Sequence, residues 1–170
     1  MEIVVPAPVL NLSAAVIDAL RRQHKTITFA ESCTAGLLSG SFCSVPGASS
    51  VFNGGLVSYA NSVKNRFLGV PDEILSSVGA VSAECASAMA SGARALFDAD
   101  IALSVTGVAG PGGGTPQKPV GTVFFGCSCG PFTLTSLRRF NGDRAAVRAQ
   151  SVEFALRIAA VMLNALPPTP

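Results

Sequence analysis

Histidine occurs once in these 170 residues, as His24, and the five cysteines include no C-x-x-C pair. His24 lies in the polar run Arg21-Arg22-Gln23-His24-Lys25, which closes a predicted helix, and reads as a solvated surface side chain. A Ser-His-Asp triad and a multi-histidine metal site are both disfavoured on that count, and no metal is expected. Any serine nucleophile here needs a base other than histidine. Charged residues make up only 13% of the chain and the formal net charge is +2. Without a long basic run the chain lacks the electrostatic footprint of a nucleic-acid binder. Glycine, serine or charge interrupts the apolar residues every few positions, so nothing approaches the ~18 consecutive apolar residues of a membrane span. No charged segment precedes a long apolar stretch, as it would in a secretion leader, and the odd set Cys33, Cys43, Cys85, Cys127 and Cys129 reads as thiols of a reducing cytoplasm. Neither a P-loop, nor a dinucleotide-binding glycine turn in register, nor an S-x-x-K motif is found.

What is present is core. An apolar fraction of 49% over 170 residues is enough to bury one substantial hydrophobic interior and too little chain for two, so residues 1–170 read as a single domain. The abundance of Ala, Val and Leu leaves room for a homo-oligomer contact as well. Residues 1–8 carry two prolines and read as irregular, ahead of a helix starting near Asn11, with Ala14, Ile17 and Leu20 on one face. Thr26-Ile27-Thr28-Phe29-Ala30 is a short β-branched strand, and Glu31-Ser32-Cys33-Thr34-Ala35-Gly36 opens a second helix. Residues 51–59 form a strand weakened by Gly54-Gly55, which suggests a close backbone approach. Brief helical turns follow over 64–68 and 72–75. A clear helix follows Val81, with Ser82 as N-cap and Cys85, Met89, Leu96 and Phe97 as its core stripe. Residues 101–105 form a buried strand feeding a glycine-rich loop over 107–119, and 120–128 and 132–140 pair as a hairpin. The last helix starts after Asn141-Gly142-Asp143, with Val147, Ser151, Phe154, Ile158 and Val161 at helical spacing. Helices between the early strands and a hairpin near the end predict an α/β fold, a three-layer α/β/α sandwich around one mixed sheet.

Three places in this outline offer chemistry, and each has a plainer reading. Ser32, between a strand and a helix, would lie where outward-pointing amides stabilise developing negative charge, or it and Thr34 simply cap the helix. Lys64 would serve as a proton acceptor if burial lowered its pKa, yet among Asn61, Ser62, Asn65 and Arg66 it reads as an ordinary surface lysine. The loop from Gly107 to Gly114 has amides that could surround an anion, or it is a flexible connection without a ligand. Arg138, Arg139, Arg144 and Arg148 cluster near the last helix start, where solvated charge is the default and Arg144 and Arg148 share a face at i,i+4.

Taken together, Glu31-Ser32-Cys33-Thr34-Ala35-Gly36, Phe52-Asn53-Gly54-Gly55 with Tyr59 and Lys64, Gly79-Ala80-Val81-Ser82, and Thr106-Gly107-Val108-Ala109-Gly110-Pro111-Gly112-Gly113 resemble the CinA C-terminal domain family. The likeness continues through Lys118-Pro119-Val120-Gly121-Thr122 and Gly142-Asp143-Arg144 to Arg148, nearly the whole chain in order. It implies a stand-alone nicotinamide mononucleotide deamidase, an amidohydrolase releasing nicotinate mononucleotide and ammonia without a cofactor. It further implies Ser32 as nucleophile, Tyr59 and Lys64 as proton-handling partners and Thr106 as a further active-site hydroxyl. Glu31, Cys33, Thr34, Gly36, Gly107, Gly110, Gly112, Gly113 and Arg144 would line the nucleotide site, with Arg144 and the glycine loop toward the phosphate. The expected partner is a small nucleotide, with no nucleic acid and no membrane. Ala35 departs from the glycine usual in the family. A module of the same fold that binds nucleotide without turnover is the alternative, and a Cys33 thiol amidase a third.

Overall fold

The computed structural model describes residues 5–165. Five strands form one sheet in the order β2-β1-β3-β4-β5. β1 (Ile27–Glu31) lies parallel to both β2 (Phe52–Val57) and β3 (Ile101–Gly107), while β4 (Thr122–Cys129) runs antiparallel to β3 and to β5 (Phe132–Arg139). All five residues of β1 are buried, as expected for a strand covered on both faces. On one side pack α1 (Ala7–Arg22), α2 (Leu37–Cys43) and α6 (Arg144–Ala165) over a core including Ile17, Phe29, Phe42 and Phe125. On the other, α5 (Ala83–Leu96) crosses the sheet, flanked by α3 (Asn61–Leu68) and α4 (Asp72–Ser77), around Leu68, Val70, Cys85 and Met89. The expected three-layer α/β/α sandwich is the observed one.

Several local expectations shift. α1 starts at Ala7 rather than near Asn11, with Pro6 at its N-cap and Pro8 in the first turn, where a missing N–H costs nothing. Of residues 1–8, read as irregular, the first four lie outside the described residues, and the prolines mark a helix start. Ser82 caps α5 as expected, accepting from the Cys85 amide at 3.1 Å. The stripe of α5 ends earlier than Leu96, which is 49% exposed, and Phe97 turns away to lie on Gly54. That contact and Ser39 Oγ against Gly55 are the close approach the glycine pair suggested, since a Cβ at either position would collide. On α6 the buried face runs from Val147 and Ser151 through Val152, Ala155, Leu156, Ala159 and Leu163, leaving Val161 66% exposed. The helix is held between α1 and the sheet, with Ala155 and Ala159 beside Val152, Leu156 and Leu163 on its contact face, and Phe154, Ile158 and Val161 lie to one side.

Candidate active site

The strand order reverses between β1 and β3, and in open α/β sheets the crevice beyond the carboxyl ends at such a switch is where ligands bind. Ser32 stands there. Its amide extends the ladder by donating to the Val105 carbonyl at 2.9 Å, and residues 32–36 then form a turn rather than the start of a helix. Ala35 and Gly36 have φ of 49° and 87°, left-handed values that a right-handed helix cannot contain, so α2 begins only at Leu37. The expectation that Ser32 opens the helix is therefore corrected, as is the capping role for Ser32 or Thr34. Glu31 performs that function. Its buried carboxylate accepts from the amides of Gly36 (3.0 Å), Leu38 (3.0 Å) and Ser39 (2.8 Å) and from the Ser39 hydroxyl (2.6 Å), satisfying donors that a helix start otherwise leaves unpaired. Placed among the nucleotide-lining residues by the sequence, Glu31 spends its hydrogen bonds inside the protein.

Lys64 is not a surface lysine. It is 1% exposed, one turn into α3, and side chains on a helix lean toward its N-terminus, which here means toward the end of β2 and Ser32. Its Nζ lies 2.6 Å from the Ser58 carbonyl, 3.3 Å from the Tyr59 carbonyl and 3.1 Å from Ser32 Oγ. An ammonium would fill these three acceptors with its three N–H bonds. A neutral amine would donate to the two carbonyls and turn its lone pair to the Ser32 hydroxyl, the geometry of a general base. Burial lowers the Lys64 pKa and outweighs the opposing influence of Cys85 and Cys33, which brings the second arrangement closer than it is for an exposed lysine. Cys33, beside the serine, is 5% exposed and burial pushes its thiol up to about 11, so it is a poor thiolate nucleophile at neutral pH.

The other expected residues divide. Tyr59 contributes its main-chain carbonyl to Lys64, while its 60% exposed ring reaches the other way and its hydroxyl accepts from Arg144 at 3.2 Å. Thr106, 1% exposed at the end of β3, donates to the Ala80 carbonyl at 2.7 Å and fixes the loop before α5. The amides of Cys33 and Thr34, which follow Ser32 in the turn, donate to no backbone carbonyl among the described residues. Asp143 caps α6 by accepting from the Ala146 amide at 2.9 Å, which sets Arg144 at the first helical position and Arg148 one turn on. Arg144 and Arg148 border a cavity of about 630 Å³ whose walls include Gly110, Pro111, Val120 and Gly142. Gly110 bonds Arg144 through its carbonyl at 2.9 Å. The remaining glycines are not brought to that wall. Gly107 pairs with Val123 in the sheet, where a side chain would strike Thr122 and Val123, and Gly112 and Gly113 are exposed. His24 follows α1 at the opposite end of β1, far along the sheet from Ser32.

Sequence reasoning left Arg148 as surface charge. Its Nη2 donates to the Thr34 carbonyl at 2.6 Å, tying α6 to the Ser32 turn across 114 residues. Lys64 was open to detection, since it shares a helical face with the buried Leu68 at i,i+4.

A buried lysine on a serine at the carboxyl ends of the parallel strands, with arginines beside a neighbouring cavity, defines a class that sequence similarity identifies. Residues 9–163 match the CinA C-terminal domain, and the chain belongs to that family. It is 46% identical to the nicotinamide-nucleotide amidohydrolase PncC of Pseudomonas putida, over 88% of this chain and 93% of that one. It is also 46% identical to a CinA-like protein of Thermotoga maritima, over 86% of this chain but only 36% of that longer one. Among solved structures, the competence/damage inducible protein CihA of Agrobacterium tumefaciens superposes with a TM-score of 0.90 at 36% identity, covering 96% and 99% of the two chains. The competence damage-inducible protein A of Klebsiella pneumoniae does so at 0.91 and 36%, covering 94% and 99%.

Proposed function

We propose that this chain hydrolyses the carboxamide of nicotinamide mononucleotide to nicotinate mononucleotide and ammonia, with Ser32 as nucleophile and Lys64 as its base. The observation that carries the reading is the 3.1 Å contact between the buried Lys64 Nζ and Ser32 Oγ, in a chain 46% identical to a nicotinamide-nucleotide amidohydrolase. The amine takes the Ser32 proton as Oγ attacks the carboxamide carbon, and the amides of Cys33 and Thr34 receive the oxyanion. Lys64 then returns the proton to the departing nitrogen, the C–N bond breaks and ammonia leaves an ester on Ser32. Water, deprotonated by the same amine, cleaves that ester to the carboxylate and restores the serine. Tyr59 acts through its carbonyl, which helps to orient the amine, and through its hydroxyl, which braces Arg144. Thr106 holds the loop before α5 by its bond to Ala80. Arg144 and the first turn of α6 take the phosphate.

The test is ammonia release from nicotinamide mononucleotide by the purified chain, run beside thermal stabilisation by the same ligand. Release in stoichiometry with nicotinate mononucleotide is expected. Stabilisation without ammonia would replace the enzyme with a nucleotide-binding module of the same fold.

A further inference from the structure

The Ser32 turn is unusual in what holds it. It contains two left-handed residues in succession and belongs to no helix, and its inner side is fastened by the Glu31 carboxylate. On its outer side the fastening side chain is Arg148, whose Nη2 meets the Thr34 carbonyl at 2.6 Å, a carbonyl that already accepts from the Leu37 amide at 3.1 Å. The same side chain borders the 630 Å³ cavity beside Arg144 and a second one of about 320 Å³ against Ala35 and Gly36. Its Nε is buried without a protein partner, as is Oγ1 of Thr34, the residue whose carbonyl it binds. Orphaned buried donors are uncommon because desolvation goes uncompensated, so the guanidinium is held here by its bond to the Thr34 carbonyl rather than by its own solvation. Its positive charge also reaches the turn, because it is among the influences that draw the Cys33 thiol downward against burial.

We infer that Arg148 is a positioning residue for the nucleophile: it clamps the turn carrying Ser32 by way of Thr34, and it does so from the wall of the cavity in which the substrate's anion is read. The inference rests on the proposed amidohydrolase reading for its substrate and on the geometry alone for the clamp. Arg144 and Arg148 then divide the work of one helix face. Arg144, exposed and bonded to Tyr59 and Gly110, meets the phosphate, whereas Arg148, one turn deeper, fixes where Ser32 Oγ points relative to Lys64. Loss of the clamp leaves the lysine and serine in place chemically but loosens their alignment, and misplacement of reacting groups by about 1 Å costs on the order of 10²-fold in rate.

The experiment compares Arg148→Met, which keeps the aliphatic stem and its packing, and Arg148→Ala with Arg144→Ala and wild type. Two readouts are taken, steady-state ammonia release from nicotinamide mononucleotide and the rate at which a fluorophosphonate, which carries no nucleotide, labels Ser32. Both Arg148 variants should lower kcat and slow labelling by about 10- to 100-fold while KM changes less than it does in Arg144→Ala. Arg144→Ala should act chiefly by raising KM for the mononucleotide. Guanidinium added at millimolar concentration should restore part of the labelling rate in Arg148→Ala and none in Arg148→Met, whose side chain fills the space. Unchanged labelling in a folded Arg148 variant, or a loss confined to KM, would overturn the clamp and make Arg148 an anion contact. A wild-type chain labelled at Ser32 but inactive on the mononucleotide would sink the substrate reading alone, the labelling comparison still deciding the clamp. A wild type that is neither labelled nor active would overturn both.

Discussion

Replacing Ala35 by glycine should stabilise this protein. Ala35 sits at φ 49°, where an L-residue's Cβ crowds its own backbone at a cost of about 1–2 kcal/mol, and glycine removes that crowding. Against the gain stands the freedom that glycine gives the unfolded chain, about 0.4–1 kcal/mol. Packing does not enter the balance, because Ala35 is exposed and its methyl group leaves no cavity. The net is a stabilisation of about 0.5–1 kcal/mol, or a rise of roughly 1–4 °C in Tm for a chain of this size. The matched control is Gly36→Ala, at φ 87°, where a new Cβ would have Val57 Cγ2 at 3.7 Å as its nearest neighbour. No clash occurs there, so the same two contributions act with opposite sign and the net loss should be about 0.5–1 kcal/mol. Urea melts decide the matter through a shift in midpoint at constant m. Because Glu31 and Arg148 hold the turn in either variant, kcat for Ala35→Gly should stay within about twofold of wild type. An Ala35→Gly protein that is less stable than wild type, or one whose m-value changes, would refute the account of the turn.

Ser32→Ala should abolish ammonia release by several orders of magnitude with nucleotide binding retained, and a loss of only a few-fold would reduce Ser32 to a local structural role. Lys64→Arg keeps the charge but cannot accept a proton near neutrality, so near-wild-type turnover in it, measured at saturating substrate, would reject the base. In the wild type kcat/KM should climb with pH through a Lys64 pKa below the ordinary lysine value of ~10.4 and then level. The same lowering makes the unfolded chain bind that proton more tightly, so the destabilisation is fully present below the folded value and fades as pH rises toward the unfolded one. The stability of wild type relative to Lys64→Met, followed by urea melts, should therefore improve as pH rises through that window, and a constant difference would contradict the buried-amine picture. Nicotinamide riboside, lacking the group assigned to Arg144, should be a poor substrate, and specificity constants equal to those of the mononucleotide would remove the phosphate from that cavity.

The parts of this molecule that were legible in sequence are those governed by neighbours in the chain. The β-branched run over 26–30 became β1, the buried run over 101–105 became β3, Ser82 capped α5, and Gly130-Pro131 turned the hairpin. Ser32 was placed correctly between a strand and a helix, but the two left-handed residues after it were hidden by Ala35, which gives no sign of a positive φ as glycine would. Lys64 was hidden by its company. Asn61, Ser62 and Arg66 cover the outward side of α3, and only the i,i+4 relation to Leu68 marks the inward one. The bonds from Arg148 to Thr34 and from Arg144 to Tyr59 join residues far apart in sequence, and no local pattern encodes them.

β3 and β4 are antiparallel neighbours, and two residues suffice to join such a pair, yet residues 108–121 intervene. The surplus chain is spent at one end of the sheet. It is fastened to α6 through Gly110 and Arg144 and to the segment before α5 through Lys118 Nζ on the Val78 carbonyl at 2.6 Å, so it spans from one helical layer to the other. The sheet register beneath does not depend on its length. Insertions or deletions between Pro111 and Thr115 should therefore rescale the cavity, and with it the size of molecule admitted, while leaving Ser32 and Lys64 where they are. In this fold the Ser32–Lys64 pair and the gauge of what reaches it are separately adjustable.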